Sequence, residues 1–303
     1  MSRFLTNFWS RSERCFVGIS DKGAAWVSQD EGQAYRWHQV NWDTAQAPGG
    51  SVQTLLSQMR LSSTTPIAWV VAPSLLRHWL QNPPEQIQSL RELHAVTLAR
   101  AMQLFGSPNM IGALHSASWK IAGDWHASQA YLCSALPDAW QTALQNHAFE
   151  GSRGVYSPLQ LAMSTFKPSL PQQGWVALLT VDTLNLMHFE LGRLGYFRSI
   201  QLPQRQSSEE LQALVVAEWR RDMMRTQFKT DHLYWLGLTD ATQNILATVS
   251  EIRLLASNIG TRLTFMSKNQ DGLSESTAIK YVDLNEAQQA VWCALQCQRA
   301  WHA

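Results

Sequence analysis

Charged residues are scarce in this sequence: 24 Lys+Arg and 23 Asp+Glu make up 16 % of 303 positions, where soluble domains average about 25 %. The near balance, a formal net charge of +1, excludes a chain whose main work is counterion-releasing attachment to DNA or RNA, which needs a strongly basic surface. Cysteine is scarce as well. Cys15, Cys133, Cys293 and Cys297 are too scattered for a disulfide framework and form no Cys-x-x-Cys pair, so a reducing cytosol is expected. Cys293 and Cys297 lie one helical turn apart, but two thiols with no His nearby make a poor metal site and read as buried and reduced. Long apolar runs are missing: Ile67–Ala72 and Trp175–Val181 fall far short of the roughly 18–20 residues that span a bilayer. Met1–Arg14 has no apolar centre or small-residue cleavage site and is not read as a secretory signal. The phosphate-loop, His-Glu-x-x-His, Gly-x-Ser-x-Gly and EF-hand patterns are absent, and the nine His residues are dispersed. Ser164-x-x-Lys167 is a chance-level match beside a linker, without partner motifs.

Tryptophan is abundant instead, with 14 residues in a chain that is 45 % apolar. Such rings fill cores or lie at interfaces. At about 150 residues per domain the length suggests two domains, each able to bury a core. Phe4, Leu5, Phe8 and Trp9 recur at helical spacing, with Arg3, Arg11 and Arg14 supplying positive charge. Residues 1–14 therefore read as an amphipathic arm, either packed on the domain or resting on a membrane surface.

Along the chain, Phe16–Ser20, Ala24–Ser28 and Tyr35–Val40 are expected as three antiparallel strands, with turns at Asp21-Lys22-Gly23 and Asp30-Glu31-Gly32. A helix near Ser51–Arg60 and the buried strand Ile67–Ala72 follow. The second half repeats this order: strands Trp175–Val181, Asn185–Glu190 and Leu194–Leu202, then a helix opened by a Ser207-x-x-Glu210 capping box and running to about Phe228. Strand His232–Leu238, a helix Ala241–Leu255 and strand Arg262–Met266 complete it. Two βββαβ units without obvious residue identity imply a duplicated architecture. Three antiparallel strands followed by crossover helices and parallel strands make a ribonuclease-H-like unit, and two such units facing a cleft make the actin-like fold. The expected class is therefore α/β, two ribonuclease-H-like lobes at 15–168 and 172–303. An inserted subdomain at about 85–150 is expected in the first lobe, Ser164–Gln173 as the linker, and a last helix at 285–301 that crosses back onto the first lobe. Arg220, Arg221 and Arg225 form a basic stripe on the long helix, read as a solvated face or as a contact for an acidic partner or anionic lipid.

Three stretches resemble the actin-like PilM proteins of type IV pilus machines and their relatives MshI and the cytoplasmic part of GspL. The Phe/Arg-rich arm leading into Val17-Gly18-Ile19-Ser20-Asp21-Lys22-Gly23 is similar to the family's opening arm and first phosphate loop. Val181-Asp182-Thr183-Leu184-Asn185, with Gly192 and Phe197-Arg198-Ser199-Ile200, is similar to the second phosphate strand pair. Leu233-Tyr234-Trp235-Leu236-Gly237-Leu238 resembles the adenosine loop.

The departures point one way. Working phosphate loops need glycines that bare the backbone N–H groups and acidic side chains that hold the metal. Ser20 stands where the first-loop Asp would be, Lys22 and Leu184 where loop glycines would be, and Leu238 where the second adenosine Gly would be; Asp182 is kept. Gly18, Ser20, Asp21, Gly23, Asp182, Asn185 and Gly237 thus outline a degenerate nucleotide cleft, and the expectation is no cofactor and no enzyme activity. The alternative is an ATPase or kinase of the same superfamily using ATP with Mg and Asp182. For Asp182 there is also a plainer reading, an exposed turn beside Asn185; Gly18 and Gly237 have one too, as tight-turn residues.

The resemblance implies a scaffold of a pilus or secretion assembly platform, cytoplasmic and peripheral to the inner membrane. Its implied partner is a PilN-like membrane protein whose cytoplasmic N-terminal peptide docks in the first lobe, with motor or platform proteins as further partners and no nucleic acid. Trp69, Val71, Trp79 and Trp119 are the expected groove residues, with core as the alternative.

Overall fold

The computed structural model describes residues 15–29, 35–42, 47–59, 67–82, 89–105, 130–146, 155–166, 169–180, 183–202, 207–228, 230, 232–237, 252–254, 265–268, 274–277 and 285–302. The membrane-arm candidates Arg3, Phe4, Leu5, Phe8, Trp9 and Arg11, together with Trp119, Asp182 and Leu238, lie outside them.

The first sheet has seven strands. β1 (Cys15–Ile19), β2 (Gly23–Gln29) and β3 (Tyr35–Asn41) form the antiparallel meander, and β4 (Ile67–Val71) joins β1 in parallel. The fully buried, β-branched β4 has the composition expected of a strand covered on both faces. Two additions come from distant sequence. β7 (Val155–Tyr156) extends the sheet beyond β4, and β13 (Phe265–Lys268), with its antiparallel partner β14 (Ser274–Thr277), adds to β3 in parallel.

The second sheet runs β10-β9-β8-β11-β12. β8 (Gly174–Thr180), β9 (Thr183–Glu190) and β10 (Arg193–Gln201) are antiparallel, and β11 (Leu233–Gly237) and β12 (Ile252–Leu254) are parallel to β8. In both halves the meander's first strand receives the parallel strand, which is the duplicated ribonuclease-H-like order of an actin-like fold. The fold is mixed α/β with two sheets of mixed strands.

Helices arrange these sheets in layers. α1 (Pro48–Met59) and α3 (Asp138–Asn146) cover the outer face of the first sheet, burying Val52, Leu55, Ala143 and Leu144 against Val17, Ile19, Trp69 and Val71. α5 (Ser208–Thr226) covers the outer face of the second through Leu211, Val215 and Trp219 against Trp175, Leu184 and Trp235. Between the sheets lie α4 (Pro158–Thr165) and α6 (Glu286–His302), whose Leu159, Ala162, Val291 and Leu295 share one core with Phe16 and Val70 of one sheet and Val176, Leu178 and Leu236 of the other. That core is the joint between the lobes. A small two-stranded sheet of β5 (Arg77–Gln81) and β6 (Tyr131–Ala135), backed by α2 (Leu90–Phe105), makes a fourth cluster around Trp79 and Leu93.

Several expectations shift. The small sheet within the region expected as an insert begins at Arg77, and α3 packs on α1, because Leu136, Ala143 and Leu144 belong to the outer core of the first sheet. The strand expected at Arg262–Met266 is β13, and it returns to the first sheet instead of continuing the second. The end of the helix expected at Ala241–Leu255 is strand β12; the rest lies outside the described residues. α4 occupies the start of the expected linker, fixed by a Ser157–Gln160 capping box and Pro158 in its first turn. Among the described residues no helix is long and apolar enough to cross a membrane.

Candidate functional site

The two strand–turn–strand corners at β1–β2 and β8–β9 are where a duplicated fold of this kind would meet phosphate. In the first, β1 ends at Ile19 and the chain reverses over Ser20–Gly23. The Ser20 N–H donates to the Gly23 carbonyl at 2.8 Å. Ser20 Oγ accepts from the N–H groups of Lys22 at 3.3 Å and Gly23 at 3.2 Å and donates to the Gly23 carbonyl at 3.1 Å. The Trp42 indole donates to the Ser20 carbonyl at 2.8 Å, and the Trp42 N–H to the Lys22 carbonyl at 3.0 Å. Backbone groups that a phosphate loop would leave bare are therefore consumed inside the turn. Asp21 and Lys22 point to solvent, and Lys22 pairs at 3.6 Å with Glu286 at the start of α6.

Gly18 serves packing. A Cβ built there would stand 1.9 Å from the Ala287 carbonyl oxygen and 2.9 Å from the Val291 side chain, so α6 lies with its main chain directly on β1. Only a residue without a side chain permits that approach. Gly23 is required for a similar reason, since its Cβ would be 2.4 Å from the Val40 carbonyl on β3.

The second corner is closed by side chains. Thr180 and Thr183 are paired in register. Asn185, 1 % exposed, donates from Nδ2 to Thr180 Oγ1 at 3.0 Å, to the Thr183 carbonyl at 3.3 Å and to the Leu178 carbonyl at 3.4 Å. Its Oδ1 accepts from Ser199 Oγ on β10 at 3.0 Å, and Thr183 Oγ1 donates to Gln201 Oε1 at 3.3 Å. Asn185 is thus an interior strand residue: with Leu184 turned into the outer core, the next residue must face the opposite side of β9. Gly237 ends β11 opposite Leu179. Arg198 is drawn away from the corner altogether. Its guanidinium bonds Glu218 and lies 3.0 Å from Asp222 Oδ2, both on α5. Burial raises the Asp222 carboxyl above the usual carboxylate range against the pull of Arg198.

Of the four expected groove residues, the three among the described residues are buried. Trp69, 1 % exposed, and Val71 lie inside the first lobe's outer core, and Trp79 is buried beneath α2 with its ring edge-on to Phe105 at 5.6 Å. A fully covered strand has no face left for a ligand. Sequence reasoning missed Trp42, which follows β3 and seals the first corner, and quoted Ser199 of β10 without the role it has at the second. Alternation along β10, which places Ser199 on the same face as Phe197, was the available signal.

Burial pushes the Cys15 and Cys133 thiols up to about 12, so both stay protonated. Among the described residues no group of three His, Cys, Asp or Glu could hold a metal ion.

No protein-family model and no curated protein matches the chain. Solved structures do. The chain is similar, at 11 % identity and a TM-score of 0.49, to a structure of the PilM–PilN type IV pilus biogenesis complex, over 96 % of this chain and 99 % of that one. It is also similar to a Bacteroides thetaiotaomicron protein with an actin-like ATPase fold and unknown function, at 13 % identity and a TM-score of 0.46, covering 86 % and 96 % of the two chains. A third likeness is to the cytoplasmic domain of EpsL, an inner-membrane component of the Vibrio cholerae type II secretion system, at 13 % identity and a TM-score of 0.42, covering 82 % and 87 %. These likenesses concern the fold, for which the strand order of the two sheets is the independent evidence.

Proposed function

We propose that the chain is a nucleotide-independent scaffold of actin-like fold, serving a type IV pilus, type II secretion or related assembly platform from the cytoplasmic side of the inner membrane. In this reading it holds the cytoplasmic N-terminal segment of a PilN-like membrane protein. The observation that carries nucleotide independence is the first corner: Ser20 takes up the N–H groups of Lys22 and Gly23, and the α6 main chain covers Gly18. A triphosphate arriving there would have to break these bonds and displace a helix. The resemblance of the three sequence stretches supports the platform role.

With Trp69, Val71 and Trp79 buried, the partner segment meets strand edges and exposed backbone, the general route by which extended peptides add to sheets. The test has two arms. Immobilised N-terminal peptides of the inner-membrane proteins encoded beside this chain are expected to capture the purified protein, and capture by none of them overturns the scaffold. Calorimetry with Mg-ATP is expected to show no binding. Micromolar affinity that disappears in Asp182→Ala would establish the ATPase or kinase alternative instead.

A further inference from the structure

The two faces of the small sheet meet different neighbours. β5 and β6 pair His78 with Ser134, Trp79 with Cys133 and Leu80 with Leu132, and successive side chains along a strand point to opposite faces. Trp79, Cys133 and Ala135 therefore share the face that α2 covers with Leu93 and Ala101. His78, Leu80, Leu132 and Ser134 share the other. That second face turns toward the joint between the lobes, where Leu132 is buried in one core with Leu159 and Ala162 of α4.

Two further contacts extend from this face. Ser134 Oγ accepts from Gln160 Nε2 of α4 at 3.2 Å, and Gln160 is itself held by the Ser157 N–H, which donates to its Oε1 at 3.2 Å. His78 Nδ1 bonds the same Ser134 hydroxyl at 2.7 Å, which fixes the imidazole, and the ring meets Phe197 of β10 edge-on at 6.3 Å. β10 is the edge strand of the second sheet, and β5 runs beside it. The register of β10 shifts between Leu194 and Tyr196. Leu194 and Phe197 consequently both pack against the joint core while Tyr196 packs against the outer one, the re-aiming of side chains that a bulge produces. An element that precedes the joint in sequence thus reaches the second lobe directly.

A joint built on helices between two sheets leaves its lobes able to rock about it, as in hinge closure around a ligand. A second attachment removes that freedom. We propose that the small sheet is a strap that fixes the two lobes in one arrangement, holding α4 through Ser134 and Gln160 and β10 through His78 and Phe197. The hydrogen bonds set the position of the His78 ring, and the bulge presents Phe197 to it, so each side of the contact is prepared by its own lobe. A body of fixed shape suits a scaffold, but the strap belongs to the chain alone and requires no partner.

The test is the distance between spin labels on the full chain, attached after Gln58→Cys on α1 and Ala213→Cys on α5, two exposed positions on the helices that cover the outer faces of the two sheets. The four native cysteines are buried and escape labelling. The labelled chain should give one narrow distance distribution that Mg-ATP leaves unchanged. Phe197→Ala and His78→Ala should each broaden it about twofold; should Phe197→Ala fail to fold, His78→Ala decides. Met163→Ala, which shortens a side chain of α4 packed on the same joint core, should leave the distribution narrow, and so separates release of the strap from loss of core packing. A broad or divided distribution in the labelled chain, a shift on adding Mg-ATP, unchanged width in His78→Ala, or equal broadening by Met163→Ala overturns the proposal. Narrow distances that broaden in the strap variants, found together with failed peptide capture, support the strap and overturn the scaffold reading alone.

Discussion

The two lobes close equivalent corners by different means. In the first lobe the seal joins a short side chain to main chain: the turn's own N–H groups fold onto Ser20 Oγ, and the α6 carbonyl of Ala287 fills the space above Gly18. In the second it is side chain: Asn185 bridges β8, β9 and β10 through Thr180 and Ser199. The Ala287 carbonyl has no alternative rotamer, whereas an amide side chain can release its partners and re-form. The same strand order therefore yields one rigid corner and one that rests on a single residue's hydrogen bonds, so duplication of a fold does not duplicate a site.

This comparison can be broken or sharpened by substitution. Gly18→Ala should have the largest effect, about 3 kcal/mol of lost stability in urea unfolding, because the new methyl meets main chain that cannot rotate aside; a neutral result would refute the helix seal. Asn185→Ala should cost about 2 kcal/mol by leaving Thr180 and Ser199 without a buried partner. Asn185→Asp tests the same network by charge: stability should rise as pH falls, since a buried carboxylate favours its protonated form. Ser20→Ala should cost about 1 kcal/mol without creating affinity for Mg-ADP, because α6 still covers Gly18; the appearance of such affinity would identify Ser20 as the principal barrier.

The smallest effect concerns the contact that bridges the lobes. His78 on β5 bonds Ser134 Oγ at 2.7 Å and meets the Phe197 ring of β10 at 6.3 Å. Burial, aided by the charge of Arg77 and opposed by a bond to the Cys133 carbonyl, pulls its pKa from 6.5 down to about 4. The native state then binds fewer protons than the unfolded one, so His78 withdraws stability as pH falls from 6.5 toward 4 and is silent above that window. In His78→Gln the slope of stability against pH across that interval should flatten.

Much of the architecture was legible in advance because its signals are local. Both meanders, the parallel strands β4 and β11, the Ser207 cap of α5 and the helix α6 followed from alternation, turn residues and helical spacing. The capping box at Ser157 is equally local, but the linker reading concerned only Ser164–Gln173 and assigned nothing to the residues just before it. What no local signal carries is partnership. β13 reads as a strand wherever it is placed, and only long-range pairing with Tyr35 assigns it to the first sheet. The buried tryptophans of β4 and β5 read equally well as groove or core, since an apolar ring has the same sequence signature in both. Gly18 was legible as a constrained position, but the cause of the constraint lies at Ala287.

The return of α6 to β1 has a consequence for the order in which the molecule can be made. The strands β8 to β11 and the helix α5 lie in one uninterrupted stretch of sequence, so their half of the protein can assemble while synthesis continues. The half that emerges from the ribosome first is completed later, because α4 supplies only part of the cover of Phe16 and Val70 and α6 supplies the rest. During that interval the nascent chain presents an oily, strand-rich surface with an open edge at β3, the kind of surface that chaperones shield. The earliest-born lobe is therefore the last to be finished, and the inner faces of both sheets gain their full cover only when α6 arrives.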